Sequence, residues 1–142
     1  MKNNLYKRVM IIDDSHLDRF ISQKVIERNQ FAQDISLFSS ATAAIDTLNK
    51  LADSPDEFPE MIFLDINMPV MDGFDFVESY MQLPSHLQDG CKIVMISSTN
   101  SAEDFARISN YPAISLFFSK PLSDKILINI RECFSEQKVL SR

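Results

Sequence analysis

The sequence has few residues of the kinds that stabilise small or secreted chains by special means. Among 142 residues there are no tryptophans, two glycines, two histidines and two cysteines. Cys91 and Cys133 do not form a CxxC pair and no histidine cluster accompanies them, so neither a disulfide framework nor a zinc site is expected. A chain of this size buries a core without such help, and both cysteines are predicted to be ordinary small apolar residues in a reducing compartment.

Long apolar runs and an excess of positive charge are also missing. The first apolar run, residues 9–12, is followed by two aspartates and is too short for a signal-peptide core or a membrane span. Fourteen Lys and Arg against 20 Asp and Glu give a net charge of −6, which disfavours nucleic acid and anionic membranes as partners. We expect a soluble, cytoplasmic protein.

What the sequence does contain is an alternation of short apolar runs with amphipathic segments. The runs predict five strands, at residues 9–12, 35–38, 61–64, 93–96 and 116–118. The amphipathic segments predict five helices, the first capped by Ser15 and the others at about 41–51, 75–83, 102–109 and 123–137. Residues 52–60 and 84–92 are predicted to be surface loops. This pattern favours one α/β domain over residues 1–142, with a core at about 7–137 and a doubly wound, parallel (βα)5 sheet.

Polar side chains follow the predicted strands at the points where the strands end. Asp13 and Asp14 follow the first run, Asp65 the third, Ser97 the fourth and Lys120 the fifth. In an open parallel sheet the carboxyl ends of the strands form the ligand crevice, so these five side chains are predicted to share one site.

The chemistry of this set is that of a phosphoryl acceptor. Three neighbouring carboxylates repel one another unless one takes up a proton or a cation lies between them, and Mg²⁺ is the natural cation for such ligands. Mg²⁺ and Lys120 would neutralise a phosphoryl group on Asp65, and the Ser97 hydroxyl would donate a hydrogen bond to it.

Each of these residues also has an ordinary structural interpretation. An acidic residue after a strand is frequently a helix cap, which would account for Asp14 beside Ser15. Asp65 could form a turn, Ser97 could be a simple strand-end serine, and Lys120 could be a solvated surface charge. The prediction therefore depends on the whole set and on its order along the chain.

Four motifs resemble those of response regulator receiver domains of two-component systems, and the chain is most similar to the stand-alone kind. The motifs lie at residues 11–15 (IIDDS), 64–73 (LDINMPVMDG), 96–98 (ISS) and 117–121 (FFSKP). They cover nearly the whole chain. The resemblance implies a flavodoxin-like sheet of order 2-1-3-4-5.

The resemblance also implies a role for each matching residue. Asp65 would be the phosphoacceptor, Asp14 and Asp65 direct Mg²⁺ ligands, and Asp13 a ligand through water. The Asn67 backbone carbonyl would complete the metal site. Ser97 and Lys120 would bind the phosphoryl oxygens, and the Lys120–Pro121 peptide bond would match one that is cis in many members.

Other positions bear on switching, on the surroundings of the phosphoryl site and on the turn after Asp65. Phe117 matches an aromatic switch residue that is often Tyr, so its movement would depend on packing alone, and a plain core role is the alternative. Ser98 departs from the family pattern, which usually has Ala or Gly beside the phosphoryl site. Two variable positions that flank the site are occupied by Asn67 and Thr99. Gly73 is predicted to occupy a turn that needs a positive φ.

Three functions are consistent with these residues. The first is a switch that receives a phosphoryl group from a histidine kinase or phosphotransfer protein and then binds an unknown target protein. It would catalyse only its own phosphorylation and dephosphorylation, and it could form a homodimer. The second is a phosphohydrolase resembling the haloacid dehalogenase family, which needs an acid/base Asp where this chain has Asn67. The third is a docking module that is not phosphorylated.

Overall fold

The structure, a computed structural model, describes residues 5–98 and 101–140, with side chains described through residue 135. Five strands alternate with helices. The strands are β1 (Tyr6–Ile12), β2 (Ala32–Phe38), β3 (Met61–Leu64), β4 (Lys92–Ser97) and β5 (Ile114–Ser119). The helices are α1 (His16–Arg28), α2 (Ala41–Lys50), α3 (Gly73–Tyr80), α4 (Ser85–Asp89), α5 (Ala102–Ile108) and α6 (Asp124–Leu140).

All five strands pair in parallel in the order β2-β1-β3-β4-β5, which confirms the predicted sheet. The central strand β3 is buried along its whole length, whereas β2, at one edge, is mostly exposed or intermediate. A strand that is apolar on both faces requires cover on both faces, and the helices supply it.

Two hydrophobic clusters lie on opposite faces of the sheet. One contains buried residues of α2, α3 and α4, among them Leu48, Phe74 and Leu87. The other contains buried residues of α1 and α6, among them Ile26 and Ile130. The strand residues of the two clusters alternate, as the two-residue period of a strand requires.

The structure corrects some of the predicted boundaries. The segment 84–92 is not simply a loop, because it contains α4, which begins after Pro84 and buries Leu87. The Gln88 side chain donates hydrogen bonds to the carbonyls of Met81 and Leu83 and so ties α4 to the end of α3. Residues 51–57 form two 3-10 turns after α2, which ends at Lys50.

The helices that approach the carboxyl ends of the strands have side-chain caps. The Ser15 hydroxyl accepts a hydrogen bond from the Asp18 amide at the start of α1, as predicted. Asp72 and Asp75 form a reciprocal capping box at the start of α3. In the part of the chain that the structure describes, none of the helices combines the length and apolar character that crossing a bilayer requires.

Candidate functional site

The carboxyl ends of four neighbouring strands bring the predicted side chains to one edge of the sheet, which we call the carboxyl edge. Asp13 follows β1, Asp65 follows β3, Ser97 ends β4 and Lys120 follows β5. The backbone fixes their relative positions, since the Asp65 amide donates to the Ile12 carbonyl at 3.0 Å. The Lys120 amide donates to the Ser97 carbonyl at 2.9 Å.

Asp13, Asp14 and Asp65 form a group that we call the acidic cluster. Each offers a carboxylate oxygen, and the three oxygens lie within 4.8 Å of one another. Asp13 and Asp65 are each only 5% exposed, whereas Asp14 is exposed. Burial, together with the neighbouring Asp13 charge, raises the pKa of Asp65 to about 6. The cluster is therefore short of positive charge, and its oxygen ligands fit a hard divalent cation such as Mg²⁺.

Lys120 supplies positive charge on the other side of the cluster. Its ammonium nitrogen lies 2.8 Å from Asp13 Oδ2 and 3.5 Å from Asp65 Oδ1. Burial alone would lower the pKa of Lys120, but hydrogen bonds to Asp13 and Asp18 raise it above its ordinary value. The side chain is thus a cation at neutral pH that lies beside the predicted phosphoacceptor.

Asp18 is the residue of this region that sequence reasoning missed. Its Oδ2 accepts a hydrogen bond from the Lys120 ammonium at 2.8 Å, across 102 residues of sequence. In the sequence it is an acidic residue in the first turn of a helix, which is a common feature with no site implied. Only the folded structure, in which Lys120 after β5 reaches the first turn of α1, identifies its partner.

The remaining predicted site residues lie at or just after the ends of β3, β4 and β5. Ser97 is fully buried, and Asn67 and Ser98 are exposed. The Lys120–Pro121 peptide bond is cis. Thr99 lies outside the described residues.

Gly73 is required for a reason other than the predicted one. No described glycine has a positive φ. Instead, the start of α3 packs directly on the backbone after β3, and a Cβ on Gly73 would lie 2.6 Å from the Asp65 carbonyl oxygen. The Gly73 amide donates to the Ile66 carbonyl at 2.7 Å. The prediction of a positive φ was wrong, and the residue that has one in this segment is Val70, with φ 70°.

Phe117 lies at the boundary between the core and α5. It is partly buried against the cluster that contains α3, and its ring meets the ring of Phe105 edge to face at a centroid distance of 4.8 Å. Phe105 is itself one of the large exposed apolar residues. Phe117 therefore contacts α5 through ring packing alone, because it has no hydroxyl group to form a hydrogen bond.

The sequence matches a known protein family and known relatives over most of its length. The response regulator receiver domain family matches residues 9–131. A protein-glutamate methylesterase/protein-glutamine glutaminase of Burkholderia thailandensis is 32% identical over 119 residues, which are 82% of this chain. The matched part is 30% of that enzyme, so the chain spans less than a third of its length.

Solved structures show the same fold. A two-component response regulator from Cytophaga hutchinsonii superposes with a TM-score of 0.82 and 26% identity, covering 99% of this chain and 100% of that one. The receiver domain of the histidine kinase CKI1 from Arabidopsis thaliana, complexed with Mg²⁺, has a TM-score of 0.75 at 20% identity. That match covers 89% of this chain and 91% of that one.

Proposed function

The chain belongs to the response regulator receiver domain family of two-component signalling, and from this premise we propose that it is a stand-alone, phosphorylation-controlled switch. Asp65 accepts a phosphoryl group from a phosphohistidine of a histidine kinase or of a histidine phosphotransfer protein. The chain then binds a target protein through an altered surface, in the cytoplasm. It catalyses its own phosphorylation and dephosphorylation and no other reaction.

The single observation that carries this proposal is the position of Asp65, which lies between a group of carboxylates able to hold a cation and the Lys120 ammonium. Asp65 lies within 4.8 Å of the other carboxylates of the acidic cluster and 3.5 Å from the Lys120 ammonium. A carboxylate oxygen of Asp65 attacks phosphorus, the P–N bond to histidine breaks, and the imidazole leaves with the bonding electron pair. The product is an acyl phosphate, and positioning and charge neutralisation are the main sources of catalysis in such a transfer.

The acidic cluster is suited to hold Mg²⁺ during this step. Asp14 and Asp65 would bind the ion directly, Asp13 through water, and the Asn67 carbonyl would complete the protein ligands. When bound, the ion neutralises charge that develops on the phosphoryl oxygens. A receiver domain with the same fold, that of CKI1, is solved in complex with Mg²⁺, which supports the choice of this ion.

Ser97 and Lys120 bind the phosphoryl oxygens, and Phe117 moves in response. Lys120 donates to one phosphoryl oxygen, and the Ser97 hydroxyl donates to another. In the sheet Phe117 pairs with Met95, and Ser97 lies two residues further along β4 on the same face. Movement of Ser97 toward the phosphoryl group would therefore open space on this face, diagonally opposite Phe117. Because Phe117 packs on Phe105, this movement alters the surface of α5, where we place the target site. The proposed partners are proteins, and neither nucleic acid nor membrane is among them.

Intact-mass analysis after incubation with acetyl phosphate tests the proposal. We expect an adduct of one phosphoryl group that requires Mg²⁺, is absent from Asp65→Asn and persists in Asp46→Asn, since Asp46 is exposed on α2. Mass is the suitable readout because the chain has no tryptophan to report the change by fluorescence.

The control outcomes separate the alternatives. An adduct on Asp65→Asn would place the acceptor elsewhere. No adduct from acetyl phosphate or from a phosphorylated kinase would leave a docking module, and continuous release of phosphate from monoesters would indicate a hydrolase.

A further inference from the structure

The Lys120 ammonium is held by a carboxylate that the acceptor chemistry does not use. Its nitrogen lies 2.8 Å from Asp13 Oδ2 and 2.8 Å from Asp18 Oδ2, and 3.5 Å from Asp65 Oδ1. An ammonium has three donors and no acceptor, so these three carboxylates engage it fully. Asp13 and Asp18 are the two close partners.

Asp13 is the partner that a divalent cation would claim. The group of carboxylates able to share one cation consists of Asp13, Asp14 and Asp65, and Asp18 is not among them in the described part of the chain. A water on a cation at the acidic cluster would donate to the Asp13 carboxylate and weaken its contact with the Lys120 ammonium. The cation would also repel the ammonium, because both are positive. Asp18 is then the close partner that the ammonium keeps.

The position of Asp18 is fixed by the first turn of α1. Its amide donates to the capping hydroxyl of Ser15 at 3.2 Å, and the amide of Ser15 donates to Asp13 Oδ1 at 2.9 Å. The neighbouring Arg19 guanidinium donates to the Asp13 carbonyl at 2.6 Å. The backbone of the turn that carries Asp18 is thus bound to the same segment as the acidic cluster, which places Asp18 within reach of Lys120.

We propose that Asp18 is a positioning residue that keeps the Lys120 ammonium beside Asp65 while Asp13 is engaged by the cation through water. This inference rests on the proposed function, because it assigns Asp18 a task in the same site. Without the Asp18 charge, the ammonium depends on Asp13 and Asp65 alone and opposes the cation there. Asp18 therefore allows the two positive groups to occupy one site together.

A double-mutant cycle on the full chain tests this coupling. Mg²⁺ binding is measured by NMR amide-shift titration for the wild type, Asp18→Asn, Lys120→Met and the double variant. We expect Asp18→Asn to raise the Mg²⁺ dissociation constant about five-fold when Lys120 is present and less than about two-fold when it is Met, because contacting residues couple in this way.

Asp104→Asn is the matched control. Asp104 lies in the first turn of α5, and its amide donates to the capping hydroxyl of Ser101, as that of Asp18 does to Ser15. The substitution removes the same charge at the same helix position, at a residue that is not among the described ion-pair partners of Lys120. We expect it to leave the Mg²⁺ dissociation constant unchanged, and Asp18→Glu to recover part of the loss caused by Asp18→Asn.

Two results would overturn the inference. Equal effects of Asp18→Asn with and without Lys120 would show a simple effect of charge at a distance, and no effect in either background would show that Asp18 only stabilises α1. Both differ from failure of the proposed function, in which the wild type itself binds neither Mg²⁺ nor the phosphoryl mimic BeF₃⁻.

Discussion

The middle of the sheet and its carboxyl edge obey opposite rules. Ile62 and Ile93, side by side on β3 and β4, are fully buried among apolar side chains. A few residues further along the same sheet, Asp13 and Asp65 are almost as deeply buried, and burial raises the pKa of Asp65 to about 6. Val70, in the segment after Asp65, has a φ of 70° and is 99% exposed.

This difference separates the source of stability from the source of function. In the middle of the sheet, strand propensity, apolar pattern and packing all favour the same structure. At the carboxyl edge, like charges are held together and a β-branched residue adopts a backbone conformation it disfavours, and such features concentrate at functional sites. Substitutions in the two regions should therefore change the free energy of unfolding in opposite directions.

The largest effect is expected in the middle of the sheet. Ile62→Ala removes buried methyl and methylene groups and leaves a cavity, which should lower the free energy of unfolding by about 3 kcal/mol. Ile128→Ala is the matched control, since Ile128 is half exposed on α6 and should change stability by less than about 0.5 kcal/mol. Urea denaturation followed by circular dichroism measures both. Similar losses for the two variants would mean that the core is not where stability resides.

An intermediate effect of the opposite sign is expected at Asp65. Its pKa in the folded chain is raised to about 6 from an ordinary value of 3.8, so the folded state binds the proton more tightly than the unfolded state. Its ionisation therefore destabilises the fold fully above pH 6, and this cost disappears as the pH falls from 6 to 3.8. Asp65→Asn should raise the free energy of unfolding by about 1 kcal/mol at neutral pH without divalent cations.

Thermal unfolding across this pH range measures the difference between Asp65→Asn and the wild type. The difference in the free energy of unfolding between Asp65→Asn and the wild type should decrease below pH 6, because protonated Asp and Asn carry the same charge. A stabilisation that is constant with pH would show that charge at Asp65 is not its cause.

The smallest effect is expected at Val70. Asn tolerates a positive φ better than a β-branched residue does, and the exposed Val70 side chain loses no burial on substitution. Val70→Asn should raise the free energy of unfolding by about 0.5 kcal/mol. Val70→Thr keeps the β-branch and should give no gain in the same urea titration. A gain with Thr would assign the effect to polarity and leave the backbone argument without support.

The sequence contained enough information to predict the sheet and the grouping of the carboxylates. Strand ends are visible as the last residues of apolar runs, and parallel pairing brings these ends to one edge. The apolar runs therefore predict that Asp13 and Asp65 reach the same edge of the sheet, whereas the strand order that makes β1 and β3 neighbours came from the resemblance to receiver domains. Lys120 could be placed at the same edge by the same argument.

What could not be predicted depends on contacts between distant segments. The partner of Asp18 is 102 residues away, and no local pattern identifies it. The need for glycine at position 73 arises from the Asp65 backbone beneath α3, which is a matter of packing and not of local φ. The short helix α4 was missed because five residues show too little periodicity and its buried Leu87 has no apolar companion at helical spacing within it.

The strand order also has a consequence for how charge is distributed across the sheet. β1 and β3 are neighbours, so the carboxylates of Asp13 and Asp65 meet across a single pair of strands. The ammonium of Lys120 comes from β5, two strands away from β3 and beyond β4. Any loosening of β5 from the sheet would therefore leave the two carboxylates together without their protein cation.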